Sequence, residues 1–142
     1  MGPPADPPGS VPGVPSYDLT HPQEVLDHAI HNPGSPDVML GKFDTPNPAD
    51  NYINQAEAKG YTYFSSAEWN AIKKAQGLDD QGMFDLYNKW FLEEQIYAGK
   101  TFHFASDPRG DFGYLGQELQ WLRYRGYVLD PETMTAIPRW LE

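Results

Sequence analysis

The 142-residue sequence contains no cysteine, which excludes disulfides, thiolate catalysis and cysteine-ligated zinc or iron–sulfur sites and leaves the compartment open. It has no run of 18 apolar residues, so no segment reads as a membrane-spanning helix. The opening MGPPADPPGS has neither a basic n-region nor an apolar h-region, and no signal peptide is read there. P-loop and G-x-G-x-x-G patterns are both missing, which removes support for ordinary kinase, NTPase and dinucleotide-dehydrogenase readings. Basic residues are scarce: 10 Lys and Arg stand against 20 Asp and Glu, a formal net charge of −10. Beyond residue 36 the balance is still 16 acids to 10 bases, a net of −6. Non-specific nucleic-acid affinity comes mainly from Lys and Arg neutralising phosphates, so this charge argues against a broad grip on a polyanion. It leaves room for a local basic site, and it suits a basic partner.

What is present divides the chain in three. Six of the first 16 residues are proline and three are glycine, a composition that reads as an extended linker over 1–16. Residues 17–36 hold one short helix, capped at Thr20 or His21 with Pro22 in its first turn, and a connector. Residues 37–142 are one domain's worth of alternating elements. VMLGKF (38–43) suits a buried strand. Asn47 and Pro48 open a helix through Ala56 that stops at Gly60, and YTYF (61–64) favours a second strand. Ser65 and Glu68 match a capping box ahead of Trp69 and Ile72. Residues 82–98 form the longest helix, with Gly99 as its stop. TFHFAS (101–106) is a third strand, a helix carries Glu118, and YVLD with TAIPR form a terminal hairpin around Asp130 and Pro131. The pattern is α/β or α+β: a small central sheet of three strands alternating with helices, then a hairpin, with helices packed on it. If those three strands are parallel, their carboxyl ends gather Lys42, Ser65 and Ser106 at one edge.

Several residues have both a chemical and a structural reading. Lys42 follows a glycine that permits close backbone approach, so it is either a phosphate-binding point charge or a solvated strand end. Asn88 is directed into an aromatic helix face by Phe84, Phe91 and Leu92; its amide either ties helix to backbone or orients a ligand. Glu118 falls on the Leu115, Leu119, Leu122 stripe. It is either an acid–base group in a half-dry cleft or the partner of Arg125 or Lys42 in a salt bridge. His103 faces opposite to Phe102 and Phe104, as a proton-transfer group near Ser106 or as a histidine on the less apolar side of the sheet. A Ser–His–acid triad finds no G-x-S-x-G to support it, and the RGD in DPRGDFG carries no adhesion claim. His21, Asp27, His28 and His31 lie close enough to take up a metal adventitiously but read as linker-helix residues, and no metal is expected. With 9 Tyr, 7 Phe and 4 Trp, Tyr61, Tyr63, Tyr114, Tyr124 and Tyr127 leave flat surface for stacking a base or nicotinamide.

The series LGK-aromatic, G-x-x-Y-F, Trp, N-x-x-F-L and Tyr-x-x-x-E-L with a closing G-Y, spread over Val38 to Tyr127, resembles the C-terminal toxin domains of bacterial polymorphic toxins, the Rhs-type and related secreted proteins. The resemblance implies an effector carried behind a longer delivery region, secreted as part of a larger protein, acting in the recipient cytoplasm and held by a cognate immunity protein. Lys42, Asn88, Tyr114 and Glu118 match its polar positions, whereas FHFASDPRGD departs from the more aliphatic strand of that family, so His103 and Ser106 stand on the reading of the residues rather than on the resemblance. The expectation is therefore an enzyme. Glu118, Lys42 and His103 would be catalytic, and Asn88, Tyr114, Ser65 and Ser106 would bind a nucleotide or RNA. The leading chemistry consumes NAD as substrate, by glycohydrolysis or ADP-ribosyl transfer, with no cofactor. A metal-independent ribonuclease is the alternative, and an acidic non-catalytic binding module such as an immunity protein is the alternative of another class. A monomer without membrane contact is expected.

Overall fold

The computed structural model describes residues 17–42 and 45–141. The chain is mixed α/β. The expected linker over 1–16 lies outside the described residues, as does Phe43 at the end of the expected first strand.

The elements in chain order are α1 (Pro22–Ala29), β1 (Ile30–His31), β2 (Asp37–Leu40), α2 (Tyr52–Lys59), β3 (Tyr63–Phe64), α3 (Trp69–Gln76), α4 (Asp80–Met83), α5 (Lys89–Tyr97), β4 (Thr101–Phe104), α6 (Tyr114–Tyr124), β5 (Tyr127–Asp130) and β6 (Thr135–Pro138). Local chemistry explains most boundaries. His21 caps α1, accepting from the Glu24 amide. A 3-10 turn, Pro48–Asp50, precedes α2; Asn47 caps the turn and Asn51 caps the helix, each side chain accepting a backbone N–H two residues on. Gly60 and Gly99 end α2 and the long helix in left-handed conformation, at φ 72° and 71°. The expected capping box at Ser65 is corrected: α3 starts after Glu68 without a side-chain cap, and it is Ser66 Oγ that accepts from the Glu68 amide, two residues on, at 3.2 Å.

The longest helix is not uniform. α4 and α5 are joined through a π turn over Phe84–Asn88, closed by the Lys89 N–H reaching back to the Phe84 carbonyl. Such a turn absorbs one more residue than an α-helical turn. It sits between two packing clusters. Met83 and Tyr87 pack with Val25, Leu26 and Ile72, while Phe91 and Leu92 join Val38, Leu40, Phe102, Leu115, Leu119 and Leu122 in the main core.

The main sheet has strand order β2-β4-β6-β5. β2 and β4 are parallel, with Val38 opposite Phe102 and Leu40 opposite Phe104; β4 to β6 and β6 to β5 are antiparallel. The expected hairpin is therefore present. The expectation of three parallel strands is corrected. β3 pairs antiparallel with β1 in a separate two-stranded sheet, and only Thr62, just ahead of it, forms a parallel bridge to Val38. The reason is hydrogen bonding. Once Thr62 has accepted from the Met39 amide and donated to the Asp37 carbonyl, the following residues find their partners on the short strand leaving α1.

Candidate active site

A cleft of about 480 Å³ opens where the carboxyl end of β2 meets the start of α6. Gly41 is what lets these elements converge: a Cβ added there would lie 2.6 Å from Tyr52 Cβ and 2.8 Å from Ala105 Cβ. The next residue, Lys42, stands at the mouth with its side chain 53% exposed and its Nζ 3.1 Å from Asp111 Oδ2. Asp111 Oδ1 also accepts the Gly113 amide at 2.7 Å and the Gly116 amide at 3.4 Å, so one carboxylate caps α6 and holds the lysine. Burial acts to raise the Asp111 carboxyl, but the Lys42 ammonium and the two backbone donors outweigh it and hold it below the usual carboxylate range.

The opposite happens one turn into α6. Glu118 is 8% exposed and lines the same cleft. Burial, with the Asp111 charge adding to it, pushes its carboxyl up to about 8. Both ion-pair partners that the sequence offered are engaged elsewhere: Arg125 pairs with Glu93 at 3.2 Å and Lys42 with Asp111. Among the described residues, no hydrogen bond or salt bridge reaches Glu118. Two carboxyl groups of one cleft are thus driven apart, one held ionised and one held protonated at neutral pH, the pattern that separates acid and base roles.

The walls are aromatic. Phe64 meets Trp69 edge-on at 6.0 Å, Trp69 meets Tyr114 at 6.2 Å, and Tyr114 stacks on Phe84 at 5.5 Å. The Tyr114 hydroxyl donates to the Asp80 carbonyl at 2.8 Å, and that of Tyr52 to the Phe64 carbonyl at 2.7 Å. These bonds hold both rings in the cleft wall and engage their hydroxyls. Asn88, at the end of the π turn, lines the cleft, is 8% exposed, and its Oδ1 is buried with no hydrogen-bond partner. Ser65 and Ser66 complete the wall; the Ser65 carbonyl accepts from His31 Nε2 at 3.1 Å.

Five of the seven site residues expected from the sequence thus share one cleft: Lys42, Ser65, Asn88, Tyr114 and Glu118. His103 and Ser106 do not line it. His103 Nε2 lies 2.8 Å from Asp37 Oδ1 and its ring stacks on Tyr61, on the sheet face opposite Phe102 and Phe104. Strand alternation had put it there, and the same alternation keeps it off the cleft side. At the β4 end it is Ala105, not Ser106, that meets the Gly41 backbone. Of the histidines near α1, His21 caps the helix, His28 stacks on Tyr17 and His31 on Tyr63. Among the described residues no group of three or more His, Asp or Glu is placed to hold a metal.

Sequence reasoning missed Asp111, Tyr52 and Gly116. Asp111 was legible as an acidic cap a few residues ahead of a helix, in D-x-G-x-x-G. Gly116 carries no such signal; a Cβ there would lie 1.9 Å from the Asp111 carbonyl oxygen, a contact visible only in three dimensions. Comparison with protein-family models, curated proteins and solved structures finds no match.

Proposed function

We propose that this chain is the effector domain of a secreted bacterial toxin of the polymorphic class, and that its cleft consumes NAD in the recipient cytoplasm. The observation that carries the reading is Glu118: a buried carboxyl in an aromatic cleft, without a hydrogen bond or salt bridge among the described residues and sharing the cleft with Lys42, the only cation that lines it among those residues. Lys42, half exposed and already oriented by Asp111, is placed to take the pyrophosphate at the mouth. The nicotinamide ring enters between the aromatic faces. The bond between ribose C1 and the ring nitrogen breaks, its electron pair goes to that nitrogen, and nicotinamide leaves neutral. Binding of the cationic ring of the substrate displaces the Glu118 proton to solvent, and the resulting carboxylate stabilises the positive charge that builds on the ribose. Water then adds to C1 and its proton passes to Glu118 or solvent, giving ADP-ribose, nicotinamide and one proton; an acceptor nucleophile in place of water gives ADP-ribosyl transfer.

The ribonuclease alternative, with Glu118 or His103 as base and Lys42 at the phosphate, keeps Glu118 and Lys42 in the cleft and loses His103, which lies with Asp37 outside it. The binding-module alternative gives no role to a buried acid facing a hollow. Two measurements test the proposal. The domain produced without an immunity protein should arrest growth, and purified protein should release nicotinamide from NAD. Glu118→Gln should abolish both. Growth arrest with intact NAD and degraded tRNA would install the ribonuclease reading, and no arrest at all would favour the binding module.

A further inference from the structure

The inner part of the cleft presents two polar groups that no contact among the described residues satisfies, beside an aromatic wall. Asn88 Oδ1 is a buried acceptor without a donor, a state that costs about 1–3 kcal/mol unless a ligand relieves it. Glu118 is a buried carboxyl with neither hydrogen bond nor counter-ion among the described residues, and the described titratable groups around it offer none. Tyr52 on α2 and Tyr114 on its own helix are held neutral by burial and neighbouring acids. Asp111 repels its charge, and Lys42 is committed to Asp111. Tyr52, Phe64, Trp69 and Tyr114 line the same space, and aromatic rings attract cations.

We infer that the inner cleft is a subsite for a planar cation bearing an N–H donor, with Asn88 Oδ1 accepting the N–H and Glu118 supplying the counter-charge. This rests on the proposed function and names the part of the substrate that the site recognises: a pyridinium ring with a carboxamide. A ring bearing a carboxylate instead would place its oxygens against an acceptor and two acids. A neutral ring would leave Glu118 without a counter-ion. Entry of the cation favours ionised Glu118, so the proton that the empty site holds is released to solvent as the ligand binds.

The test is calorimetric titration of the whole chain at pH 7 with three probes: the 1-methylnicotinamide cation, neutral nicotinamide, and 1-methylnicotinate, which has no N–H donor. Runs in two buffers of different ionisation enthalpy count the protons. The cation should bind about tenfold or more tighter than either other probe and release close to one proton. Glu118→Gln should abolish the proton release, and Asn88→Leu should erase the preference over 1-methylnicotinate; thermal unfolding confirms that both variants are folded. Equal affinity for all three probes, or binding of the cation without proton release, overturns the subsite. NAD cleavage is scored separately. A chain that cleaves NAD without cation preference keeps the activity and loses the subsite, and one that binds the cation with proton release yet leaves NAD intact does the reverse.

Discussion

Lys42 Nζ lies 3.1 Å from Asp111 Oδ2, and this ion pair joins the end of β2 to the loop that starts α6. With the lysine half exposed, the pair itself is worth at most about 1 kcal/mol. Its importance is positional. It places a cation at the mouth of the cleft and an anion where it acts on Glu118, and the predictions below depend on that arrangement.

Stability should fall as pH rises. The folded chain holds the Glu118 proton up to about pH 8, against an ordinary value of 4.5, so between those values the native state carries a proton that the unfolded state has lost. Stability from this group is complete below about pH 4.5 and declines up to about 8, by at most about 1.4 kcal/mol per pH unit. Urea unfolding of wild type and Glu118→Gln at pH 5.5, 6.5 and 7.5 checks it. The wild type should show the downward slope and the variant should lack this component.

Asn88→Leu should separate stability from function. Removing a buried acceptor that has no partner should leave the melting temperature unchanged or raise it by about 3 °C. NAD cleavage should nevertheless fall about tenfold or more. A melting temperature several degrees lower would mean that the amide ties the helix to its surroundings after all.

Gly116→Ala should break the arrangement from a distance. Its new methyl would overlap the Asp111 carbonyl, at 1.9 Å, so the loop must move and carry Asp111 away from Lys42. A loss of about 1–3 kcal/mol is expected, with activity lost beyond what the stability change explains. Gly34→Ala, where an added Cβ meets nothing within 4 Å, is the matched control. Denaturant midpoints and nicotinamide release on all three proteins measure the contrast.

His103→Ala should change NAD turnover by less than about twofold, because the ring is held by Asp37 and Tyr61 outside the cleft. A loss of a hundredfold, in the range of a missing general base, would return His103 to the chemistry.

How much of this was legible in the sequence follows from how local each cause is. Helix stops were readable because Gly60 and Gly99 act within their own turns, whereas the start expected at Asn47 is that of a 3-10 turn and Asn51 caps α2. So was the direction of Glu118, since a helical stripe needs only a periodicity. Asn88 was readable as a polar residue on an aromatic face, but not that a π turn presents it. The sheet was half readable. Short apolar runs announce strands without saying which strand pairs with which, and YTYF went to β1 because the Thr62 bridge had already met the needs of the Asp37 and Met39 backbone. Ser106 failed for a related reason: which of two adjacent residues faces the Gly41 backbone depends on how β4 ends, and composition does not encode that.

The π turn at Phe84–Asn88 also bears on engineering. A regular helix over the same stretch would be easier to form and would connect the two clusters with one residue fewer, so an idealising redesign or a consensus deletion would tend to remove the irregularity. Such a protein would keep its folded architecture while turning Asn88 off its present bearing. The surplus residue is thus better regarded as equipment than as a defect.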